Sequence, residues 1–362
     1  MAVVTSHPPR VRLRRSDVTV PGLTRRRRGK GWQYLDADGE PVRDEEVLAR
    51  IAELVIPPAW TDVWICPYPG GHIQATGIDA AGRKQYLYHP KWRERRDQEK
   101  FDEMLDFARA LPRMRERVER DLEDRDAIDR ERVLACAVRL LDRGFFRIGS
   151  EDYAVTNETY GLATMRKTHV RLVGETIRFD YPAKHGKRRV QSVVDPEVAV
   201  VIDALKRRRG GGPELLAYKR AGKWVDIKSA DINAYIKEAT GEDFSAKDFR
   251  TWGATVLAAV AVAVSGAAAE TKTARKRVVT RAVKEVAFYL GNTPAVARAS
   301  YIDPRVFDRY QDGLSIAGVL GQIGGDADDT AIQGPVEEAV IDLIEGHESA
   351  AVVPADAIAE WA

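Results

Sequence analysis

At 362 residues, 44% hydrophobic and 31% charged, the chain is long enough for two domains with real cores and has the balance of a soluble globular protein. Its two cysteines, Cys66 and Cys136, lie far apart and its six histidines are scattered singly, which argues against a disulfide framework, a redox pair or a structural zinc, with both thiols free in a reducing compartment. The formal net charge of +2 hides an asymmetry: residues 312–362 hold 11 of the 55 acidic side chains and none of the 57 basic ones, which leaves residues 1–311 at +13. Such a surplus suits a polyanion partner, although a solvated charged surface shows the same count.

In chain order, residues 1–30 are studded with arginines (Arg10, Arg12, Arg14 and Arg15, then Arg25 through Arg28) and are expected to be a mobile basic arm, ordering on phosphate. Residues 1–15 lack the continuous apolar core of a secretory signal. A small domain is expected over 31–90. It comprises a strand at Trp32-Gln33-Tyr34-Leu35, a turn at Asp38-Gly39, a helix capped by Asp44, and strands at 63–66, 72–77 and 85–88 forming an antiparallel sheet.

From residue 91 the pattern turns helical. Polar helices are expected at 91–109 and 113–122, then an amphipathic helix over 129–146 with Val133, Leu134, Ala137, Val138 and Leu141 at helical intervals. Period two returns in three strands, over 170–172, 176–181 and 189–194, turning at Gly174 and at His185-Gly186. Pro196 opens the next helix, and further helices follow at 229–239, 245–265, 272–290, 294–301 and 304–310. Residues 254–269 are apolar but shorter than the ~20 that a bilayer span needs, and are mostly Ala and Val; a buried helix packed through small residues is expected. The region 91–312 thus reads as one domain, and 313–362 as an acidic, loosely ordered tail.

Four segments of that domain carry chemistry. They are Phe145-Phe146-Arg147-Ile148-Gly149; a hairpin over 179–187 whose tip presents Lys184; Lys247-Asp248-Phe249-Arg250-Thr251-Trp252; and Gly291-Asn292-Thr293-Pro294 followed by Ala299-Ser300-Tyr301. In this order they resemble the catalytic domain of type IB DNA topoisomerases of the poxvirus and bacterial branch. Ile56-Pro57-Pro58-Ala59-Trp60 and Lys84-Gln85-Tyr86 through His89-Pro90 are similar to that branch's DNA-clamping domain. The resemblance spans roughly residues 20–311. It implies an α+β protein: a small mixed β-sheet clamp domain, then a mainly α-helical domain with a three-stranded sheet, the fold shared by topoisomerase IB and tyrosine recombinases.

The resemblance also implies site residues, and each can be weighed against physical need. Breaking a phosphodiester by transesterification requires a nucleophile, charge neutralisation at the non-bridging oxygens and an acid for the leaving alkoxide. Tyr301 corresponds to the nucleophile that forms a 3′-phosphotyrosyl bond. Arg147 and Arg250 suit the phosphate clamp, because a guanidinium is planar, permanently charged and bidentate. Lys184 corresponds to the acid that protonates the 5′ oxygen. Asn292 stands where the family often has histidine; its amide donates the same hydrogen bond but carries neither charge nor proton. Lys247, one helical turn before Arg250, is a supporting phosphate contact of lesser weight.

No metal and no small-molecule cofactor is called for, since the arginines and lysine supply the positive charge, and no phosphate loop for nucleotide hydrolysis is present. The expected partner is double-stranded DNA, gripped through its phosphates by a monomer in the cytoplasm at the nucleoid, with no membrane involved. Two other readings stay open. A tyrosine recombinase or integrase uses similar chemistry but usually has His-x-x-Arg where this chain has Lys247-Asp248-Phe249-Arg250. A catalytically silent clamp would keep the basic groove alone.

Overall fold

The computed structural model describes residues 12–123, 128–266, 269, 271–322 and 333–355. The outer parts of the expected arm and tail, 1–11, 323–332 and 356–362, lie outside that set. The chain divides into two compact units between Lys100 and Phe101, ten residues beyond the expected boundary at 90.

The first unit is a five-stranded antiparallel sheet of β1 (Leu23–Arg28), β2 (Gly31–Leu35), β3 (Thr61–Ile65), β4 (Ile73–Ile78) and β5 (Lys84–Tyr88), with α1 (Glu45–Glu53) between β2 and β3. The strand order is β2-β1-β3-β4-β5. Leu23, Ile51, Val63, Ile65 and Ala75 form its core, and Asp44 caps α1 by accepting from the Glu46 and Val47 amides.

The strand β1 corrects the expectation for 1–30. Far from being a free arm, the arginine run pairs along its length with β2, and Leu23 is buried. Arg25 reaches inward to the carbonyls of Pro57 at 2.7 Å and Trp60 at 3.0 Å, and lies over the Trp32 ring. Four consecutive arginines conceal a period-two pattern, because a long aliphatic stem can cover apolar surface while its head reaches a polar partner.

A single helix, α2 (Pro90–Glu123), replaces the two expected over 91–122, with Pro112 inside it. Losing one helical hydrogen bond there costs about 3 kcal/mol. Burial of Phe107, Leu111, Met114 and Val118 along one face offsets that loss.

In the second unit, α3 (Arg130–Gly144) is capped by Asp129, and a short α4 (Glu151–Asn157) follows. Next come β6 (Val170–Val173), β7 (Thr176–Pro182) and β8 (Arg188–Val194), forming an antiparallel sheet in the order β6-β7-β8. After α5 (Pro196–Arg207) comes a hairpin of β9 (Ala217–Arg220) and β10 (Lys223–Asp226) that had not been expected. Its two-residue turn places Ala221 and Gly222 both at positive φ, so only the second half of the usual Asn-Gly signal is present.

The helices α6 (Ser229–Thr240), α7 (Ala246–Gly266), α8 (Lys272–Leu290), α9 (Pro294–Ser300) and α10 (Pro304–Gln311) follow close to their expected limits. β11 (Leu314–Ser315), α11 (Pro335–Glu345) and β12 (Val353–Pro354) end the described chain.

The central element is α7. It alone, among the described residues, is long and apolar enough to cross a membrane, yet most of it is buried within the protein. Ala254, Ala258 and Ala259 are fully buried, and at Gly266 a Cβ would come within 2.5 Å of the Tyr310 ring. Small residues let α3, α8, α10 and α11 approach it closely. The described part of the expected loose tail is ordered: Val336, Ala339, Val340, Leu343 and Ile344 of α11 are buried, and β12 pairs with β11. Overall the chain is α+β, as expected.

Candidate active site

Everything in the site converges on the C-terminus of α8. That helix ends at Gly291 in the left-handed conformation, φ +62°, with the Asn292 amide donating back to the Ala287 carbonyl at 2.9 Å. The positive φ favours glycine here, and a Cβ would sit 3.0 Å from Arg189 Nη1, close enough that the guanidinium would have to give way slightly. The last carbonyls of a helix have no partner within it. In α8 they are taken by three arginines from three other elements.

Arg147 donates to the carbonyls of Leu290 at 3.2 Å and Gly291 at 3.4 Å, and to Asn292 Oδ1. It sits in the loop after α3, which turns sharply at Phe145, φ +52°, and again at Gly149. Gly149 packs directly on Gly161, and the amides of Leu162 and Ala163 donate to the carbonyls of Arg147 and Ile148 at 2.8 and 2.7 Å. Arg250, on α7, donates to the carbonyls of Phe145 and, at 3.0 Å, Leu290. Arg189, on β8, donates to the carbonyls of Phe288 at 3.2 Å and Tyr289, and to Gln191 Oε1 at 2.7 Å.

These guanidiniums bond to neutral oxygens, so the local positive charge is offset only by the weak negative end of the helix. Arg250 is 4% exposed, and its buried Nε–H has no partner among the described residues. Burial, with Arg147 adding to it, pushes the Arg250 guanidinium down from its ordinary value. It stays charged at any physiological pH nonetheless, since guanidinium is the least readily deprotonated side chain. A stack of cations with a spare inward donor is a site built to receive an anion.

Tyr301 closes α9, which Thr293 caps by accepting from the Val296 amide at 3.3 Å. Its backbone is pinned to α7: the Tyr301 amide donates to Ala297 at 3.0 Å, and its carbonyl accepts from Thr255 Oγ1 at 3.3 Å. The half-buried Tyr301 ring lies 5.3 Å from the Arg250 guanidinium. Burial by itself would raise this phenol, but Arg250 first, then Arg147 and the Asn292 amide, outweigh it and hold the phenol below its ordinary value. Because Asn292 Oδ1 faces Arg147, the amide nitrogen is the end left to donate elsewhere.

A cleft of about 630 Å³ opens beside this cluster. Arg147, Gly291 and Asn292 line it on one side, and the β7–β8 hairpin, with Lys184, Lys187 and Arg188, on the other. Lys184 is exposed in a one-turn helix at the hairpin tip, which the Ala183 amide and Lys187 carbonyl close at 2.8 Å.

Of the residues singled out from sequence, Arg147, Arg250, Asn292 and Tyr301 come together directly, and Lys184 lies on the rim of the cleft that Arg147 and Asn292 share. Lys247 is exposed on α7, where its carbonyl accepts from Thr251 at 3.4 Å, and among the described residues no hydrogen bond or ion pair joins its side chain to the cluster. Two participants went unnoticed in the sequence. Arg189 looked like one more cation of a basic hairpin, and Thr255 like a neutral helix residue. Spacing gave a signal for neither: Thr255 sits on α7 five residues after Arg250, outside the three- and four-residue intervals that share a helix face.

Residues 89–317 match the family model described as the catalytic core of eukaryotic DNA topoisomerase I. Residues 31–79 match that of the bacterial DNA topoisomerase IB N-terminal domain. The chain therefore belongs to the type IB DNA topoisomerase family, a family of isomerases. Among its relatives, DNA topoisomerase 1B of Acanthamoeba polyphaga mimivirus is 30% identical over 300 residues, covering 80% of this chain and 88% of the viral one. DNA topoisomerase I of monkeypox virus and DNA topoisomerase 1B of vaccinia virus (strain Copenhagen) are each 20% identical over 236 residues, 65% of this chain and 72% of theirs.

Proposed function

We propose that this protein relaxes supercoiled double-stranded DNA by cutting and resealing one strand through Tyr301. The observation that carries the reading is the clustering of Arg147, Arg250, Asn292 and Tyr301 around the end of α8. The Tyr301 phenol gives up its proton to solvent, and the phenolate oxygen attacks a backbone phosphorus, forming a P–O bond to tyrosine while the P–O5′ bond breaks. Arg147, Arg250 and the Asn292 amide hold the non-bridging oxygens, and Lys184 gives its proton to the departing 5′ oxygen. The strand then swivels, and the reverse attack restores the phosphodiester and returns the proton.

One ester replaces another, so the exchange needs no ATP, and stored superhelical strain drives the net change. The cations that stabilise charge belong to the protein itself, which supports a reaction independent of divalent metal. That the whole set comes from one chain supports action as a monomer, and membership of the family supports a 3′-phosphotyrosyl intermediate.

The test is incubation with negatively supercoiled plasmid in EDTA without ATP, beside a Tyr301→Phe variant. Relaxation by the parent and none by the variant, with DNA binding retained in both, is expected. A parent that binds DNA without relaxing it or forming a covalent adduct would instead be a clamp, and exchange between two cut duplexes would mark a recombinase.

A further inference from the structure

The hairpin that carries Lys184 is closed at its tip by the Ala183 amide on the Lys187 carbonyl and held by the Tyr160 amide on the Pro182 carbonyl, both at 2.8 Å, and it must present an ammonium to one atom of a bound strand. Its last paired rungs are Tyr181 with Arg189 and Pro182 with Arg188. From the inner of these, Arg189 crosses to α8 and bonds the carbonyls of Phe288 and Tyr289. Its Nε–H is held by Gln191 Oε1 at 2.7 Å, and the Gln191 amide donates in turn to the Gly144 carbonyl at 2.9 Å. Gly144 ends α3 and leads within three residues to Arg147, while Tyr289 leads within three to Asn292. The pair thus fastens β8 to both segments that bear the anion-binding residues.

We infer that Arg189, braced by Gln191, is a positioning residue that sets the Lys184 hairpin against the end of α8, so that its loss slows departure of the 5′ oxygen rather than attack by Tyr301. This rests on the reading of Lys184 as the acid. Direct phosphate binding fits Arg189 less well. Each of its three nitrogens already holds a protein oxygen, whereas the Nε–H of Arg250 is unpartnered among the described residues. A lysine could substitute only in part, because one ammonium cannot reproduce a fork that spans two carbonyls and an amide.

The experiment compares single-turnover cleavage of two duplexes, one with the ordinary 5′ oxygen at the scissile bond and one with bridging sulfur there. A thiolate leaves without a proton, so the second substrate makes the acid dispensable. Arg189→Ala is expected to cleave the ordinary duplex about 10–100-fold more slowly, the cost of a misplaced but intact acid. On the sulfur duplex it should come within a few-fold of the parent. Arg189→Lys and, should Arg189→Ala fail to fold, Gln191→Leu are expected to show the same pattern at smaller amplitude.

Equal slowing on both duplexes, or none on either, would overturn the inference. Rescue by sulfur in Lys184→Ala but not in Arg189→Ala overturns it alone. A Lys184→Ala variant that sulfur does not rescue overturns the acid assignment, and the inference with it.

Discussion

Two tyrosines of the second unit sense the same arginines and respond in opposite directions. Tyr181, 3% exposed on β7, is raised because burial outweighs the pull of Arg189, Arg147 and Arg250. Tyr301, half-buried, is lowered because Arg250 and Arg147, with the Asn292 amide, outweigh burial. Of the two, only Tyr301 has its phenolate favoured over the ordinary value. Below its pKa the phenolate fraction grows tenfold per pH unit, so a depressed value makes more nucleophile available at a given pH. In a ¹³C-tyrosine NMR titration, Tyr301 is expected to ionise below pH 10, the usual midpoint of a phenol. Arg250→Ala should move that midpoint upward, since burial is then opposed only by Arg147 and the Asn292 amide; an unmoved midpoint would mean the guanidinium is not its cause. Arg147, Arg250, Asn292 and Tyr301 were legible in the sequence because each sits in a short segment of distinctive order. Arg189 was not, because Lys187, Arg188 and Arg189 look alike until strand register decides which one crosses to α8.

Among the elements, α7 and α11 show how the site is held from behind. The helix α7 carries Arg250 and Thr255 on a shaft of buried alanines. Two residues past Arg250, the Trp252 indole donates to Glu337 of α11 at 2.7 Å. Glu337 also accepts from Arg115 at 2.6 and 3.0 Å, and Arg115 grips Asp142 near the end of α3 at 2.8 and 3.0 Å. One carboxylate of the supposed tail therefore joins α2, α7 and, through Arg115, α3. Glu337→Ala leaves a largely buried guanidinium short of one partner and the indole without one. It is expected to cost about 3 kcal/mol and to lower the melting temperature by several degrees. A melting temperature within about one degree of the parent would refute the brace. The pattern for α11 was present in the sequence, since Val336, Ala339, Val340, Leu343 and Ile344 recur at helical intervals. Composition, acidic and without a single Lys or Arg, masked it.

At the scale of the whole molecule, the surplus of basic residues before position 312 predicts how DNA is held. Binding through phosphates releases counterions, so affinity should fall steeply with salt. For Tyr301→Phe on a linear duplex, a loss of about 10³-fold or more is expected between 50 and 200 mM salt, the fall that six or more phosphate contacts produce. A loss under tenfold, measured by fluorescence anisotropy, would remove the phosphate-grip reading.

Residue order alone determined the α+β class and most helices of the second unit, because caps, prolines and apolar periodicity act over a few residues; the candidate site residues came from the resemblance of four short segments to a known family. Which cations meet at the end of α8, and that β1 and α11 are built into their units rather than trailing from them, only the tertiary structure decided. Those outcomes depend on partners distant in the chain: the carbonyls of Pro57 and Trp60 for Arg25, the C-terminus of α8 for Arg189, and Arg115 and Trp252 for Glu337. A local pattern records which groups a residue can satisfy, but the fold selects the one it does.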